Sequence, residues 1–298
     1  MNEKLALIVA TFLWGSSFIA LKYVIQIYDP TFVIFLRMLI VLCICVFLWR
    51  WVKRFKYQKG DYKYLLSMSL AEPALYFLFE GFAMQNTSAS QAGILVSCLP
   101  LLVAFLAFYL LKEQLSKAIL IGFTVCLSGS LLLTFLSPSS AQAPNPWLGN
   151  GLEFLAMICA AYYTISVKHL AGRYSPLSLI GLQGLSGTLF FAPFVYFNGL
   201  PEVYNSDALL SILYLGAVVT VGAYGLYNYA LIKVSVLTAA AFSNLIPIFT
   251  LFLSALILGE RLNNVQWLSI SIVFIGIAIS QKHSTKKREP AGEEISSI

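Results

Sequence analysis

Apolar residues run along this chain in blocks of roughly bilayer length, separated by short polar stretches that carry most of the charge. Ten blocks stand out: 5–27, 31–50, 64–85, 90–111, 118–136, 149–168, 177–197, 209–231, 236–258 and 264–281. A helix rises about 1.5 Å per residue, so ~20 residues cross the roughly 30 Å hydrocarbon core of a membrane. Lipid offers no partner to a free backbone amide, which leaves helices and closed barrels as the only spanning structures. The blocks are too long for barrel strands and show no period-two alternation. The pattern predicts an all-α integral membrane protein with ten transmembrane helices. The first block, from Leu5, is longer than a signal-peptide core and no small-residue cleavage site follows it, so it is expected to remain as a span.

Composition agrees. Hydrophobic residues make up 59% of the 298 and charged residues 11%, against about 25% charged in soluble domains. The net charge of +6 raises the question of nucleic acid, but the basic residues sit between apolar blocks rather than on one face. With the N-terminus inside, 16 of the 19 Lys and Arg fall in inner loops or the tail. Arg261 alone falls outside, and Lys22 and Arg37 lie within blocks. That asymmetry predicts both termini in the cytoplasm. The segment 137–150 is uncharged, contains Pro138, Pro144 and Pro146, and reads as a linker; 282–298 reads as a disordered cytoplasmic tail.

The chain repeats itself. A shift of 146 residues places Ala10, Ile19, Lys22, Pro30, Ile34 and Leu36 on Ala156, Ile165, Lys168, Pro176, Ile180 and Leu182. A shift of 147 places Ala83, Ser88, Ala92, Pro100, Glu113, Leu115 and Gly129 on Ala230, Ser235, Ala239, Pro247, Glu260, Leu262 and Gly276. The halves are 5–136, with spans 1–5, and 149–281, with spans 6–10. Five is odd, so the second half is expected upside down relative to the first: two inverted five-helix repeats. Such repeats mark secondary transporters with a midplane site between the halves.

The segments WGSSFIALK (14–22), NTSASQAGILVSCLPLL (86–102), LLKEQLS (110–116), VSVLTAAAFSNLIPIFT (234–250) and LGERLN (258–263) resemble the EamA domain of the drug/metabolite transporter superfamily. The resemblance covers about residues 5–281. It implies ten helices around a central cavity lined mainly by spans 1, 3 and 4 and by 6, 8 and 9. It also implies export or exchange of amino acids, other metabolites or toxic compounds. One departure is that Ala160 and Ala161 stand where the first half has Trp14 and Gly15, which makes the two half-sites chemically unequal.

Four ionisable residues are placed by this reading inside the hydrocarbon: Lys22, Arg37, Glu72 and Glu80. Each costs about 2.5–3.5 kcal/mol near a helix centre and is expected to face protein or water. Lys22, Arg37 and Glu80 fall at similar depth in the outer third, as an ion-pair cluster or as a static bridge locking spans 1–3. Arg37 is assigned to a structural ion pair, and the plainer reading of Lys22 is snorkelling. Glu72 lies near the midplane, before Pro73, and shares a stripe with Tyr76 and Glu80 at i, i+4 and i+8. A carboxylate there suits a proton or a substrate ammonium. Its second-half counterpart is Val219, and that of Glu80 is Tyr227.

The mid-span pair Pro100 and Pro247, flanked by Ser97, Ser243 and Asn244, is assigned as hinges. The aromatic residues Trp14, Tyr76, Tyr162, Tyr163, Tyr224 and Tyr227 fall on spans expected to line the cavity, where ring faces hold cations. Gly81, Gly93, Gly222 and Gly225 are expected at close helix contacts. The candidate substrate-binding set is Trp14, Lys22, Glu72, Tyr76, Glu80, Tyr163, Tyr227 and Asn244.

An enzyme is disfavoured. The two histidines fall in cytoplasmic segments, and no nucleophile–base set or phosphate-cradling loop appears. The five cysteines lie inside apolar blocks without CxxC spacing, so neither a metal site nor a disulfide framework is indicated, and no cofactor is expected. A receptor or scaffold would need a larger cytoplasmic domain than these loops supply. The reading is a secondary transporter in the cell (inner) membrane, most simply an exporter of amino acids or related metabolites. Uptake or exchange of a nucleotide-like or sugar-derived metabolite, or drug efflux, stays open. No ATP-binding motif is present. Expected partners are a small-molecule substrate and the lipid bilayer, with protons and a second copy of the chain as further candidates; nucleic acid is not among them.

Overall fold

A computed structural model describes residues 2–52, 56–112 and 116–281. The repeat positions Glu113 and Leu115, the basic residues Lys53 and Arg54, and the tail 282–298 lie outside the described residues. Every regular element among the described residues is helical. In chain order the segments are α1 (Glu3–Val24), α2 (Pro30–Phe47), a composite α3, α4 (Ala89–Leu110), α5 (Lys117–Leu136), α6 (Pro146–Leu170), α7 (Pro176–Asn198), α8 (Ser206–Lys233), α9 (Val236–Leu258) and α10 (Asn264–Gln281). The composite α3 joins Asp61–Ser69, a π-turn Leu70–Leu75 and Tyr76–Asn86. Among the described residues, eight helices are long and apolar enough to cross a membrane. The other two segments are α3, which is broken and carries charges, and α10, whose apolar stretch Asn264–Ser280 is shorter.

Helix starts follow from capping chemistry. The Asp29 side chain accepts from the Thr31 amide at 2.8 Å ahead of Pro30, and Ser175 and Asn145 do the same ahead of Pro176 and Pro146. Proline at the first position loses nothing there, because that amide has no helical partner. This cap explains why α6 begins at Pro146 rather than at 149. The caps recur across the repeat: Ser88 accepts from Gln91, and Ser235 from Thr238, 147 positions on.

Breaks recur too. Glu72 has extended backbone angles (φ −149°, ψ 118°) ahead of Pro73, whose missing amide cannot continue the ladder. The counterpart stretch of α8, Tyr214–Ala223, is wound as a π-helix. The helix of α4 passes through a 3-10 turn at Val96–Cys98 just before Pro100, and α9 breaks at Ser243–Asn244 just before Pro247.

Small residues set the closest crossings. A Cβ on Gly122 would meet the Gly276 carbonyl at 2.5 Å, and one on Gly276 would meet the Cys126 amide at 2.6 Å, so α5 and α10 touch backbone to backbone. Gly93 is as tight against Thr250, at 2.6 Å, and Gly81 lies 2.9 Å from Ile34 by the same measure. Gly222 and Gly225 correct the expectation. Their nearest neighbours would be 3.6 Å away, an ordinary contact that any small side chain tolerates. The outer surface carries exposed Phe135, Leu189, Phe252 and Leu256, the side chains a bilayer would cover.

Candidate functional site

A cavity opens between the halves, lined by residues of α1, α2, α3, α4, α6, α8 and α9. Its walls are built from repeat-related positions. Trp14, Ser17 and Phe18 face it with Ala160, Tyr163 and Thr164, at an offset of 146. Phe77, Glu80 and Leu99 face it with Tyr224, Tyr227 and Ile246, at an offset of 147. The same places therefore carry different chemistry, and the acidic groups come from the first half.

Glu72 sits at the α3 break, 2% exposed, and accepts a hydrogen bond from the Tyr224 hydroxyl of α8. The break turns its side chain off the regular helical ladder and into the lining. One turn on, the Tyr76 hydroxyl donates to Glu80 Oε1 at 2.7 Å. Arg37 reaches across from α2. Its Nη1 lies 3.9 Å from Glu80 Oε2, its Nε donates to Thr220 Oγ1 at 2.8 Å, and its guanidinium stacks on Phe77 at 4.3 Å. At 3.9 Å the ion pair is beyond hydrogen-bond reach, so the guanidinium keeps donor capacity for another anion. Beside the acids stands an aromatic wall: the Trp14 ring lies 5.2 Å from Tyr224 and 4.9 Å from Tyr227, and Tyr163 lies 5.8 Å from Tyr224. Ring faces are electronegative and suit a cation held beside a carboxylate.

The structure brings Trp14, Glu72, Tyr76, Glu80, Tyr163 and Tyr227 of the candidate set into this lining, and adds Arg37 and Tyr224. Lys22 is not among them. Its Nζ donates to the Met84 and Thr87 carbonyls, both at 2.7 Å, so the ammonium closes the C-terminal end of α3. Depth in the membrane could not reveal that, because the choice between cavity and carbonyl depends on which way a long side chain turns. Asn244 is also outside the lining; it sits at the start of the second part of α9, its Oδ1 buried without a partner. Pro100 and Pro247 stand in the first turn after each break, outside the lining. Tyr162 points away and donates to Ser67 at 3.0 Å.

Two carboxylates were missed as chemistry. Glu260, read only as a repeat marker, is buried and caps the start of α4: its oxygens accept from the Ala89 amide at 3.0 Å, the Ser90 amide at 2.9 Å and the Ser90 hydroxyl at 2.5 Å. Glu153 on α6 is 0% exposed, and neither of its oxygens has a hydrogen-bond partner. The apolar block begins at 149, which sets Glu153 near a membrane edge; with the helix starting at Pro146 it lies two turns in. Among the described residues no group of three metal-ligating side chains forms.

A model of the EamA-like transporter family matches residues 2–135 and again 147–281. The "Uncharacterized transporter YetK" of Bacillus subtilis (strain 168) is 30% identical over 241 residues, covering 79% of this chain and 73% of that one. The "Probable amino-acid metabolite efflux pump" of Escherichia coli (strain K12) is 25% identical over 287 residues, covering 93% of each chain. A solved crystal structure superposes with a TM-score of 0.70 at 17% identity, covering 96% of this chain and 99% of that one; this likeness speaks for the fold alone.

Proposed function

The chain belongs to the EamA-like transporter family, a multi-pass membrane transporter rather than an enzyme, and from that premise we propose that it exports amino acids or related amine-bearing metabolites across the cell membrane. The observation that carries this reading is the cavity's charge and lining. Glu72 and Glu80 face one arginine, so the lining has one carboxylate more than it has cations, beside the rings of Trp14, Tyr163, Tyr224 and Tyr227. A substrate ammonium would pair with Glu72 beside that wall, and a substrate carboxylate would take the unspent donors of Arg37. A nucleotide-like substrate would ask for several cations where this lining offers one. The amino-acid efflux name of the Escherichia coli relative points the same way.

In this reading the ten segments are ten crossings arranged as two inverted five-helix repeats, α1–α5 and α6–α10. The offset of the lining pairs supports the duplication, and the odd number of segments per half supports the inversion. Both termini face the cytoplasm, as the basic inner loops suggest. Transport proceeds by alternating access, the halves rocking about the shared cavity. Purified protein tests the substrate class by thermal stabilisation: ligands that bind the folded state raise its melting temperature. The expected result is stabilisation by at least one amino acid or amine and none by nucleotides or sugar phosphates. Stabilisation by the anions alone would overturn the proposal.

A further inference from the structure

Glu153 has no part in the cavity lining, yet it is wholly buried and both of its oxygens lack a partner. A carboxylate in that position is not stable as a bare anion, since burial strips its water and nothing replaces it. Neither cation of the neighbouring spans donates to it. Arg37 is held by Thr220, Phe77 and Glu80, and Lys22 by the Met84 and Thr87 carbonyls. The groups that face Glu153 from the packed helices do not help a negative charge. From α3, Glu80 acts on it electrostatically and Tyr76 lies within the same reach. Glu72 precedes both on α3, and Asp61 at the start of α3 is bound to Arg173 at 2.9 Å. From α4, Gln91 is used by Asn150, one turn before Glu153. On α8 the titratable groups Tyr224 and Tyr227 face the cavity, and Lys117, at the start of α5, is exposed.

We infer that Glu153 is a proton-binding site of the transport cycle, loaded in the conformation described here and discharged when α6 moves and water reaches it. The inference rests on the transporter reading above. The proton is taken from water and returned to water, so nothing else is consumed. Coupling to the cavity runs through Glu80. Once Glu153 ionises, two carboxylates repel across the α3–α6 contact, and the loose Glu80–Arg37 pair, at 3.9 Å, is the one free to rearrange. Because Arg37 and Glu80 line the cavity, a proton leaving Glu153 changes the charge balance a substrate meets. Proton binding to one conformation and not the other shifts the equilibrium between them by mass action.

The test has two arms on the full chain in lipid. Infrared difference spectra at neutral pH compare wild type with Glu153→Gln. The expected result is a carboxylic-acid carbonyl band present in wild type, absent in Glu153→Gln and displaced in Glu153→Asp. In liposomes, radiolabelled amino acids are followed as equilibrium exchange and as accumulation driven by an imposed pH gradient. Glu153→Gln is expected to keep exchange and lose the response to the gradient, and Glu153→Asp to recover it. An unchanged band in Glu153→Gln, or a gradient response equal to wild type, overturns the proton site. If no amino acid moves through wild type, the substrate reading has failed and the infrared arm still decides Glu153. If Glu153→Gln does not fold, the band displacement in Glu153→Asp decides it.

Discussion

Lys22 and Lys168 stand 146 positions apart and do the same thing: the Nζ of Lys22 donates to the Met84 and Thr87 carbonyls, that of Lys168 to the Leu231 and Val234 carbonyls, all four bonds at 2.7 Å. Each carbonyl of one pair is 147 positions from its counterpart in the other. Each ammonium completes the last turn of a helix, where carbonyls lack amide partners. The two differ in burial, since Lys22 is 4% exposed and Lys168 only partly covered. Removing the buried one leaves two carbonyls without their donor. Lys22→Met is expected to cost about 1.5–3 kcal/mol, the range for a buried charge-assisted bond, and Lys168→Met less. Thermal unfolding in detergent checks the order. Equal losses would contradict it.

Orientation is tested by labelling. Gln58 and Gln142 are both exposed, so a cysteine at either is accessible to its own side. In a background without native cysteines, Gln142→Cys is expected to react with an impermeant thiol reagent from outside, and Gln58→Cys only after permeabilisation. The reverse labelling would invert the proposed topology.

The helix crossing of α5 and α10 permits no added volume. Gly276→Leu would force a side chain into the Gly122 carbonyl and the Cys126 amide, each within 2.7 Å of the first added carbon. Backbone cannot give as a flexible side chain can, so overpacking of about 1–3 kcal/mol or more is expected. Gly222→Ala, with its nearest neighbour at 3.6 Å, is expected to be tolerated. Expression yield and melting temperature separate the two.

Pro100 and Pro247 follow equivalent breaks in opposite halves. If the halves exchange conformations during transport, changes at the two sites act on opposite gates. Pro100→Ala and Pro247→Ala are expected to slow transport and to shift the inward- and outward-open populations in opposite directions. About 1.4 kcal/mol suffices for a tenfold shift. Distances between spin labels on the outer loops read the populations. A shift of the same sign in both variants would end the hinge idea.

Much of the fold was legible because a membrane span announces itself through length and apolarity. The start of α6 was missed by three residues, since Pro146, Trp147 and Leu148 read as linker until the Asn145 cap is seen. Those three residues move Glu153 from a membrane edge to two turns inside the helix. The break at Glu72 has its cause in the sequence, since the missing amide of Pro73 acts wherever it falls. The aromatic wall was legible because the family resemblance implied which spans line the cavity, though Tyr162 on one of those spans points away. Arg37 as part of the cavity was not, because a span-2 residue reaches the lining only through the length of its side chain across α3. Lys22 lies outside the lining for the same kind of reason: sequence sets its depth, and only packing decides its direction.

The central claim is that Glu72, in the cavity between the halves, holds the cationic end of a small amine-bearing substrate. Uptake of radiolabelled amino acids into liposomes, compared between wild type and Glu72→Gln, tests it most directly. Glu72→Gln keeps the shape and the hydrogen bond from Tyr224 while removing the charge. The account predicts that wild type moves at least one amino acid and that Glu72→Gln, with an unchanged melting temperature, moves none. Transport at the wild-type rate in Glu72→Gln would contradict it.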